Sequence, residues 1–112
     1  MLHSVEIENG KASYKNKYVR TPYFENDMGM MEGSFDLKAS PANTHVIKHA
    51  DKILTLEEAH FPWIVNDDLE TVGSHDFKGK LNGPMTAHPR ICPETNELLF
   101  FGYQMMKKPY LT

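Results

Sequence analysis

Cysteine is almost absent from this chain, because Cys92 is the only one among its 112 residues. A single cysteine excludes an internal disulfide, and the lack of disulfides is typical of proteins from a reducing compartment. Cys92 stands between Ile91 and Pro93 with no neighbouring base, so the sequence does not support a nucleophilic thiol.

Long apolar runs and basic tracts are also absent. No apolar run approaches the ~20 residues that a membrane span needs, and the first residues lack the basic and apolar regions of a signal peptide. We therefore expect a cytoplasmic protein. The formal net charge is −3, and Lys15-Asn16-Lys17 and Lys107-Lys108 are too short to be basic tracts. The composition excludes a basic nucleic-acid-binding surface, so we expect no nucleic-acid partner.

Helical periodicity and the common catalytic motifs are missing as well. No segment of about ten residues or more keeps an apolar period of about 3.6 residues, so the sequence predicts no reliable helix. It contains neither a phosphate-binding glycine loop nor a Gly-x-Ser-x-Gly nucleophile elbow. Nucleophilic catalysis and phosphate binding through these motifs are therefore excluded.

The N-terminal region shows a hairpin pattern. His3 to Glu8 alternates polar and apolar residues, Asn9-Gly10 is a strong hairpin-turn signal, and Lys11 to Arg20 is predicted as the return strand. The pattern disappears from Thr21 to Ala42, which we expect to be a loop that is either functional or partly disordered.

From Thr44 onwards, short β-forming runs alternate with turn signals, which indicates an all-β protein. The predicted strands are Thr44 to Lys48, Ile53 to Glu58, Pro62 to Val65, and Glu70 to Phe77 with an interruption at Gly73. Such an antiparallel meander forms one propeller-like blade or half of a sandwich. Glu97 to Gln104 would start the next sheet after a turn at Pro93-Glu94-Thr95-Asn96.

Three of the six histidines raise the question of a zinc site. His45 and His49 are four positions apart, which puts them on one face of a strand, and His60 follows. No cysteine accompanies them and their spacing matches no zinc motif, so the plainer interpretation is that they are exposed strand histidines. A zinc-binding domain through His45, His49 and His60 remains an alternative hypothesis.

Two adjacent carboxylates end the second strand of the meander. Glu57 and Glu58 should point to opposite faces, so one of them points inward if the sheet packs on both faces. A buried carboxylate needs a cation or a histidine N–H, and the carboxylate–histidine pair is common behind metal-ligating histidines. The alternative is that both are solvated edge charges.

His88 is the strongest candidate for a metal ligand. Pro89 forces it out of the helical region, and it lies between a glycine-rich turn at 79–84 and the β-forming run 97–103. The backbone therefore aims the imidazole of His88 at a junction of loop and strand, which suits a metal ligand.

Several segments together resemble the carotenoid cleavage oxygenase family, in the branch that includes lignostilbene dioxygenases and retinal pigment epithelial membrane protein-like members. The best-matched part is 44–104, within a resemblance that runs from Tyr18 to Thr112. The matching segments are Tyr18-Val19-Arg20-Thr21, Ala42-Asn43-Thr44-His45-Val46-Ile47, Leu54-Thr55-Leu56-Glu57-Glu58, Leu69-Glu70-Thr71-Val72-Gly73, Asp76-Phe77-Lys78-Gly79, Thr86-Ala87-His88-Pro89 and Leu99-Phe100-Phe101-Gly102-Tyr103.

The resemblance implies a seven-bladed β-propeller that holds one non-haem Fe(II) with four histidines. Enzymes of this kind add O₂ across a conjugated C=C bond of a carotenoid, apocarotenoid or stilbene and release two carbonyl products. His88 matches the first iron ligand, and Glu58 matches a glutamate that hydrogen-bonds a ligand histidine. An apolar conjugated substrate and O₂ are the expected partners. Peripheral membrane contact is a separate hypothesis, which rests on the methionines described below.

The chain departs from the family pattern in length and at one position. Residues 1–112 cover only one to two blades, and His45, His49 and His60 match none of the other three ligands. We therefore expect a truncated reading frame or fragment without oxygenase activity of its own, which could self-associate through open sheet edges. A non-catalytic β-rich interaction module is the rival interpretation. Glu57 stands where some stilbene-cleaving relatives have a phenolate-gripping lysine, which leaves the substrate class open.

The methionines of the predicted loop are the last feature singled out. Met28, Met30 and Met31 are interpreted as core filler. The alternative is that they border an apolar substrate tunnel or a membrane-facing patch, because methionine adapts to varied apolar surfaces.

Overall fold

The computed structural model describes residues 1–33, 35–104 and 108–112. In these ranges the chain forms antiparallel strands arranged in one hairpin, one four-stranded sheet and one further strand pair, with two helices of a single turn each. The all-β prediction is therefore confirmed.

The N-terminal hairpin forms as predicted. Strand β1 (Leu2–Glu8) pairs with β2 (Lys11–Lys17), and Glu8 lies opposite Lys11. The two turn residues between them, Asn9 and Gly10, have φ of 50° and 74°, which is the left-handed backbone of a tight type I′ turn. The return strand ends three residues earlier than predicted, at Lys17.

The predicted loop from Thr21 to Ala42 contains two helices that the sequence did not predict, α1 (Pro22–Glu25) and α2 (Met30–Gly33). The hydroxyl of Thr21 accepts a hydrogen bond from Phe24 N, and Pro22 occupies the first helical turn, both of which favour a helix start. Each helix has four residues, which is too short to show a helical period in the sequence.

Hydrogen bonds to distant residues hold this segment against the sheet. Phe61 N donates to the Leu37 carbonyl at 2.7 Å, and the indole of Trp63 donates to the Lys38 carbonyl at 3.0 Å. Of the methionines, Met28 is half-buried and Met31 is exposed, so Met31 does not fill the core. The side chain of Met30 lies outside the described part of the structure.

The four-stranded sheet is a meander in chain order, as predicted. Its strands are β3 (His45–His49), β4 (Lys52–Leu56), β5 (Trp63–Val65) and β6 (Thr71–Ser74). Strand β6 ends at Ser74, before the predicted Phe77. The chain then turns at Phe77 and Lys78, which have φ of 52° and 62°. This arrangement has the form expected of one propeller blade.

The sheet is covered on both faces. One apolar cluster joins the hairpin to it and consists of Leu2, Val19, Ala42, Trp63, Val65 and Leu69. The other lies under the segment that leads to His88 and contains Leu54, Leu56, Met85 and Ala87. Burial of each large side chain contributes about 1.5–3 kcal/mol, so these clusters fix where the 85–88 segment lies relative to the end of β4.

The strand predicted from Glu97 to Gln104 is shorter in the structure, and its partner strand was not predicted. Strand β7 (Arg90–Ile91) pairs with β8 (Leu98–Leu99) around the predicted turn, which is closed by Asn96 N donating to the Cys92 carbonyl at 2.8 Å. Beyond β8, Tyr103 forms an isolated bridge with Leu111. In the described residues no helix is both long and apolar enough for a membrane crossing.

Candidate functional site

The Glu58 carboxylate joins three distant segments of the chain. Strand β4 ends at Leu56, and Glu58 follows in the turn beyond it. Its Oε1 accepts a hydrogen bond from His88 Nδ1 at 2.6 Å. Its Oε2 accepts from the Thr86 hydroxyl at 3.1 Å and from the Tyr103 hydroxyl at 2.7 Å. The site is therefore a small polar cluster centred on one carboxylate.

The His88 imidazole is held at its inner nitrogen and open at its outer one. Its side chain is 70% exposed, and Nδ1 faces the Glu58 carboxylate, which can only accept. The proton of the neutral ring therefore sits on Nδ1, and Nε2 keeps its lone pair. Among the described residues, Nε2 has no hydrogen-bond partner. An imidazole of this kind can ligate a metal through Nε2.

The backbone of His88 is fixed as well. Its N–H donates to the Thr86 hydroxyl oxygen at 3.2 Å, and this hydroxyl in turn donates to Glu58. Thr86 and Ala87 are buried beneath. The ring therefore projects from a rigid base, although it is itself solvent-exposed.

The ionisation states in the cluster support these donor and acceptor roles. Burial raises the pKa of Glu58, but hydrogen bonds from Tyr103, Thr86, the Ala87 backbone and His88 outweigh it, so the pKa is lowered overall. The hydrogen bond to Glu58 raises the pKa of Tyr103, with burial adding to the effect. At neutral pH the carboxyl is thus ionised and the phenol is protonated.

Glu57 points away from this cluster. Its Oε2 accepts a short hydrogen bond from His60 Nδ1 and another from Ala59 N at 2.9 Å. The two glutamates therefore have separate partners, and the hypothesis of two solvated edge charges is wrong. Burial lowers the pKa of His60, but hydrogen bonds to Glu57 and to the Gly33 carbonyl outweigh it and raise the pKa.

The hypothesis of a zinc site through three histidines is wrong for a geometric reason. His45 Nδ1 bonds the Ala87 carbonyl at 2.7 Å, and His49 Nε2 bonds the Asn96 carbonyl at 2.8 Å. His60 is 7% exposed and bonds the Gly33 carbonyl through Nε2 at 2.9 Å. The three rings have different partners, and the described ranges contain no group of three or more metal-ligating side chains.

The structure adds three residues that sequence reasoning did not place at the site. Thr86 and Tyr103 bond Glu58, and the His45 ring lies 6.1 Å from the His88 ring between centroids. Tyr103 is 45 positions from Glu58, so no local pattern could reveal the contact. Both hydroxyl residues lie in segments that carry the family resemblance, which was the only available signal.

Comparison with known protein families gives a match over the whole chain. The sequence model of the family described as "Retinal pigment epithelial membrane protein" matches residues 1–112.

Two curated relatives are similar over nearly all of the chain. A carotenoid 9,10(9',10')-cleavage dioxygenase of Arabidopsis thaliana is 31% identical and covers 100% of this chain and 27% of its own length. A carotenoid cleavage oxygenase of Mycobacterium tuberculosis is 36% identical over 96% of this chain and 23% of its own length. The chain thus spans about a quarter of the length of the relatives it matches.

A solved structure shows the same architecture. The crystal structure of Pseudomonas brassicacearum lignostilbene dioxygenase matches 90% of this chain and 24% of that protein, with 30% identity and a TM-score of 0.75. The all-β fold of the chain therefore matches part of a β-propeller, as predicted from the sequence.

Proposed function

Because this chain belongs to the retinal pigment epithelial membrane protein family, we propose that it forms the part of a double-bond-cleaving dioxygenase that supplies the first iron ligand. The ligand is His88, and Glu58 is the carboxylate that supports it. The observation that carries the proposal is the 2.6 Å hydrogen bond between His88 Nδ1 and Glu58 Oε1, with the imidazole otherwise exposed.

The chemistry of these residues fits a divalent iron. A neutral imidazole is a good ligand for Fe(II), and a carboxylate on the opposite ring nitrogen fixes the tautomer and increases the basicity of the ligating nitrogen. When bound, the iron supplies the activation of O₂ needed to convert a C=C bond into two carbonyl groups. The remaining histidine ligands would come from sequence beyond this chain.

The role of each residue at the site follows from its hydrogen bonds. His88 presents Nε2, Glu58 holds the proton on Nδ1, and Thr86 fixes the backbone N–H of His88. Each of these contacts limits the motion of the imidazole before any metal binds, which lowers the entropy lost on coordination.

We propose an apolar substrate with a conjugated C=C bond, of the carotenoid, apocarotenoid or stilbene class. Support comes from the relatives, whose names include carotenoid cleavage and lignostilbene oxidation. Glu57 bonds His60 and the Ala59 backbone through Oε2, and its negative charge would repel a substrate phenolate. This favours a substrate without a phenolate anchor at that position.

The chain alone should bind no stoichiometric iron, because one imidazole does not fix a metal. Elemental analysis of the purified chain for iron and zinc tests this, and near-stoichiometric iron that is lost in His88→Ala would contradict it.

In a longer protein that contains this segment, His88→Ala should abolish iron binding and release of carbonyl products from apocarotenoid and stilbene substrates. His3→Ala, a distant strand histidine, should change neither, and retention of iron by the His88→Ala protein would overturn the assignment.

A second candidate function is a non-catalytic β-rich interaction module. It is favoured by the exposure of Val5, Ile7 and Tyr14, which lie on one face of the hairpin because Val5 pairs with Tyr14. This candidate requires a stable, defined oligomer without iron.

A further inference from the structure

The Glu58 carboxylate accepts hydrogen bonds from three side chains, and its two oxygens share them unequally. Both hydroxyl donors, from Thr86 and Tyr103, bond Oε2, while the His88 side chain bonds Oε1 through Nδ1. A carboxylate that was free to rotate could offer either oxygen to the imidazole. The two hydroxyls therefore fix the orientation of the carboxylate and hold one of its oxygens against His88 Nδ1.

Tyr103 is the stronger of the two hydroxyl partners. Its hydroxyl lies 2.7 Å from Oε2, against 3.1 Å for Thr86, and a phenol donates strongly to an ionised acceptor. Thr86 also accepts from the His88 backbone N–H, so it serves two residues, whereas the Tyr103 hydroxyl serves Glu58. Tyr103 also comes from a separate segment, which is held by its bridge to Leu111.

We infer that Tyr103 is a positioning residue: its hydroxyl anchors Glu58 Oε2 so that Oε1 holds the proton of His88 on Nδ1 and leaves Nε2 unprotonated. This inference rests on the proposed function, because Tyr103 has this role only if His88 Nε2 is a metal ligand. It does not need the metal for its test, since the tautomer of His88 can be measured in the metal-free chain. The tautomer is set by the hydrogen bond that the other ring nitrogen makes.

The test is a comparison of ¹⁵N-labelled chains by long-range ¹H–¹⁵N NMR at alkaline pH. The native chain should show His88 predominantly as the Nδ1–H tautomer. Tyr103→Phe keeps the ring and removes the hydroxyl, so the ratio of Nδ1–H to Nε2–H should fall about tenfold, the effect of losing one hydrogen bond to a charged group. Thr86→Val should lower it less, and Thr86→Ser should preserve it.

Matched controls separate this role from a general structural one. Tyr110→Phe removes a hydroxyl from an exposed tyrosine near Lys108 and should leave the His88 tautomer unchanged. His49, which bonds the Asn96 carbonyl through Nε2, should keep its Nε2–H tautomer in every variant. An unchanged His88 tautomer in Tyr103→Phe, even with lowered thermal stability, would overturn the inference.

A second measurement covers the case in which Tyr103→Phe does not fold. Incorporation of 3-fluorotyrosine changes the donor strength of the Tyr103 hydroxyl at nearly the same size, so the ratio of the two neutral tautomers of His88 should shift. No change would contradict the inference. Because neither experiment uses iron or substrate, a failure here is distinct from a failure of the proposed function, which would appear as iron retained without His88.

Discussion

At the residue scale, the contacts of His60 show which side-chain arrangements the sequence could predict. His60 Nδ1 and Nε2 both face acceptors, the Glu57 carboxylate and the Gly33 carbonyl. An acceptor at each ring nitrogen favours a proton on both, so the fold stabilises the imidazolium form of His60 and raises its pKa. Because Glu57 and Glu58 are adjacent, the sequence predicted that their side chains have different surroundings. It could not predict that Glu57 bonds His60, because this contact depends on the turn after β4 and on the distant Gly33 carbonyl, which bonds the other nitrogen of His60.

This pair makes the stability of the chain depend on pH. The folded-state pKa of His60 is raised above 6.5, while the folded-state pKa of Glu57 is lowered below 4.5 because its hydrogen bonds to His60 and the Ala59 backbone outweigh burial. The contribution of His60 is complete below pH 6.5 and is lost as pH rises through its folded pKa. The contribution of Glu57 is complete above pH 4.5 and is lost as pH falls through its folded pKa. Nearby Asp36 also favours the charged ring.

We therefore expect the free energy of unfolding to benefit most from this pair between pH 4.5 and 6.5. Urea unfolding of the native chain and of His60→Asn should show a difference in stability that shrinks from pH 5.5 towards alkaline pH. Comparison of the two chains removes the opposite contribution of His75, whose pKa is lowered by burial and by Lys52. A difference that is constant with pH would show that His60 is neutral, and His3→Asn should follow the native chain throughout.

Only part of the candidate site could be predicted from the sequence, and the properties of individual residues explain why. His88 could be identified because Pro89 and the family resemblance mark it locally. Thr86 and Tyr103 could not, since hydroxyl residues are common and their contacts to Glu58 span 28 and 45 positions. The zinc hypothesis failed because a shared strand face does not ensure a shared partner: His45 and His49 reach carbonyls of different segments.

At the element scale, the sequence predicted elements whose signals are local. The hairpin was predictable because Asn9-Gly10 favours a tight turn and the flanking residues alternate between polar and apolar. The meander was predictable because turn-forming residues separate its strands. The helices α1 and α2 were not predicted because a helix of a single turn is too short to show a helical period in the sequence. The segment from 21 to 42 has few local signals, and distant contacts such as Trp63 to the Lys38 carbonyl hold it instead.

The hairpin gives a test of this local control. Gly10 has φ of +74°, which is unfavourable for residues with a Cβ by about 1–2 kcal/mol. Gly10→Ala should therefore lower the free energy of unfolding by about 1 kcal/mol in urea titrations. Gly29→Ala is the matched control, because a Cβ there would make only an ordinary contact, 3.7 Å from Glu32 Oε2. Equal effects of the two substitutions would mean that the Gly10 turn does not control hairpin stability.

At the scale of the whole molecule, a single four-stranded sheet leaves two edges open. Strands β3 and β6 are the outer strands, and neither is closed by a further strand in the described residues. A propeller of several blades buries such a blade between neighbours, whereas the chain alone exposes backbone groups that can pair with another copy. Because the chain spans about a quarter of its relatives, we expect concentration-dependent self-association.

The form of that association separates the two candidate functions. A piece of a propeller should form a polydisperse series of assemblies, because its edges are not self-complementary, whereas an interaction module should form one closed dimer. Val72 on β6 is exposed, and lysine on an edge strand opposes pairing, so Val72→Lys should shift sedimentation velocity profiles towards the monomer. Asn82→Lys adds the same charge in an exposed turn and should not. A single dimer that persists in Val72→Lys would contradict edge pairing and favour the interaction module.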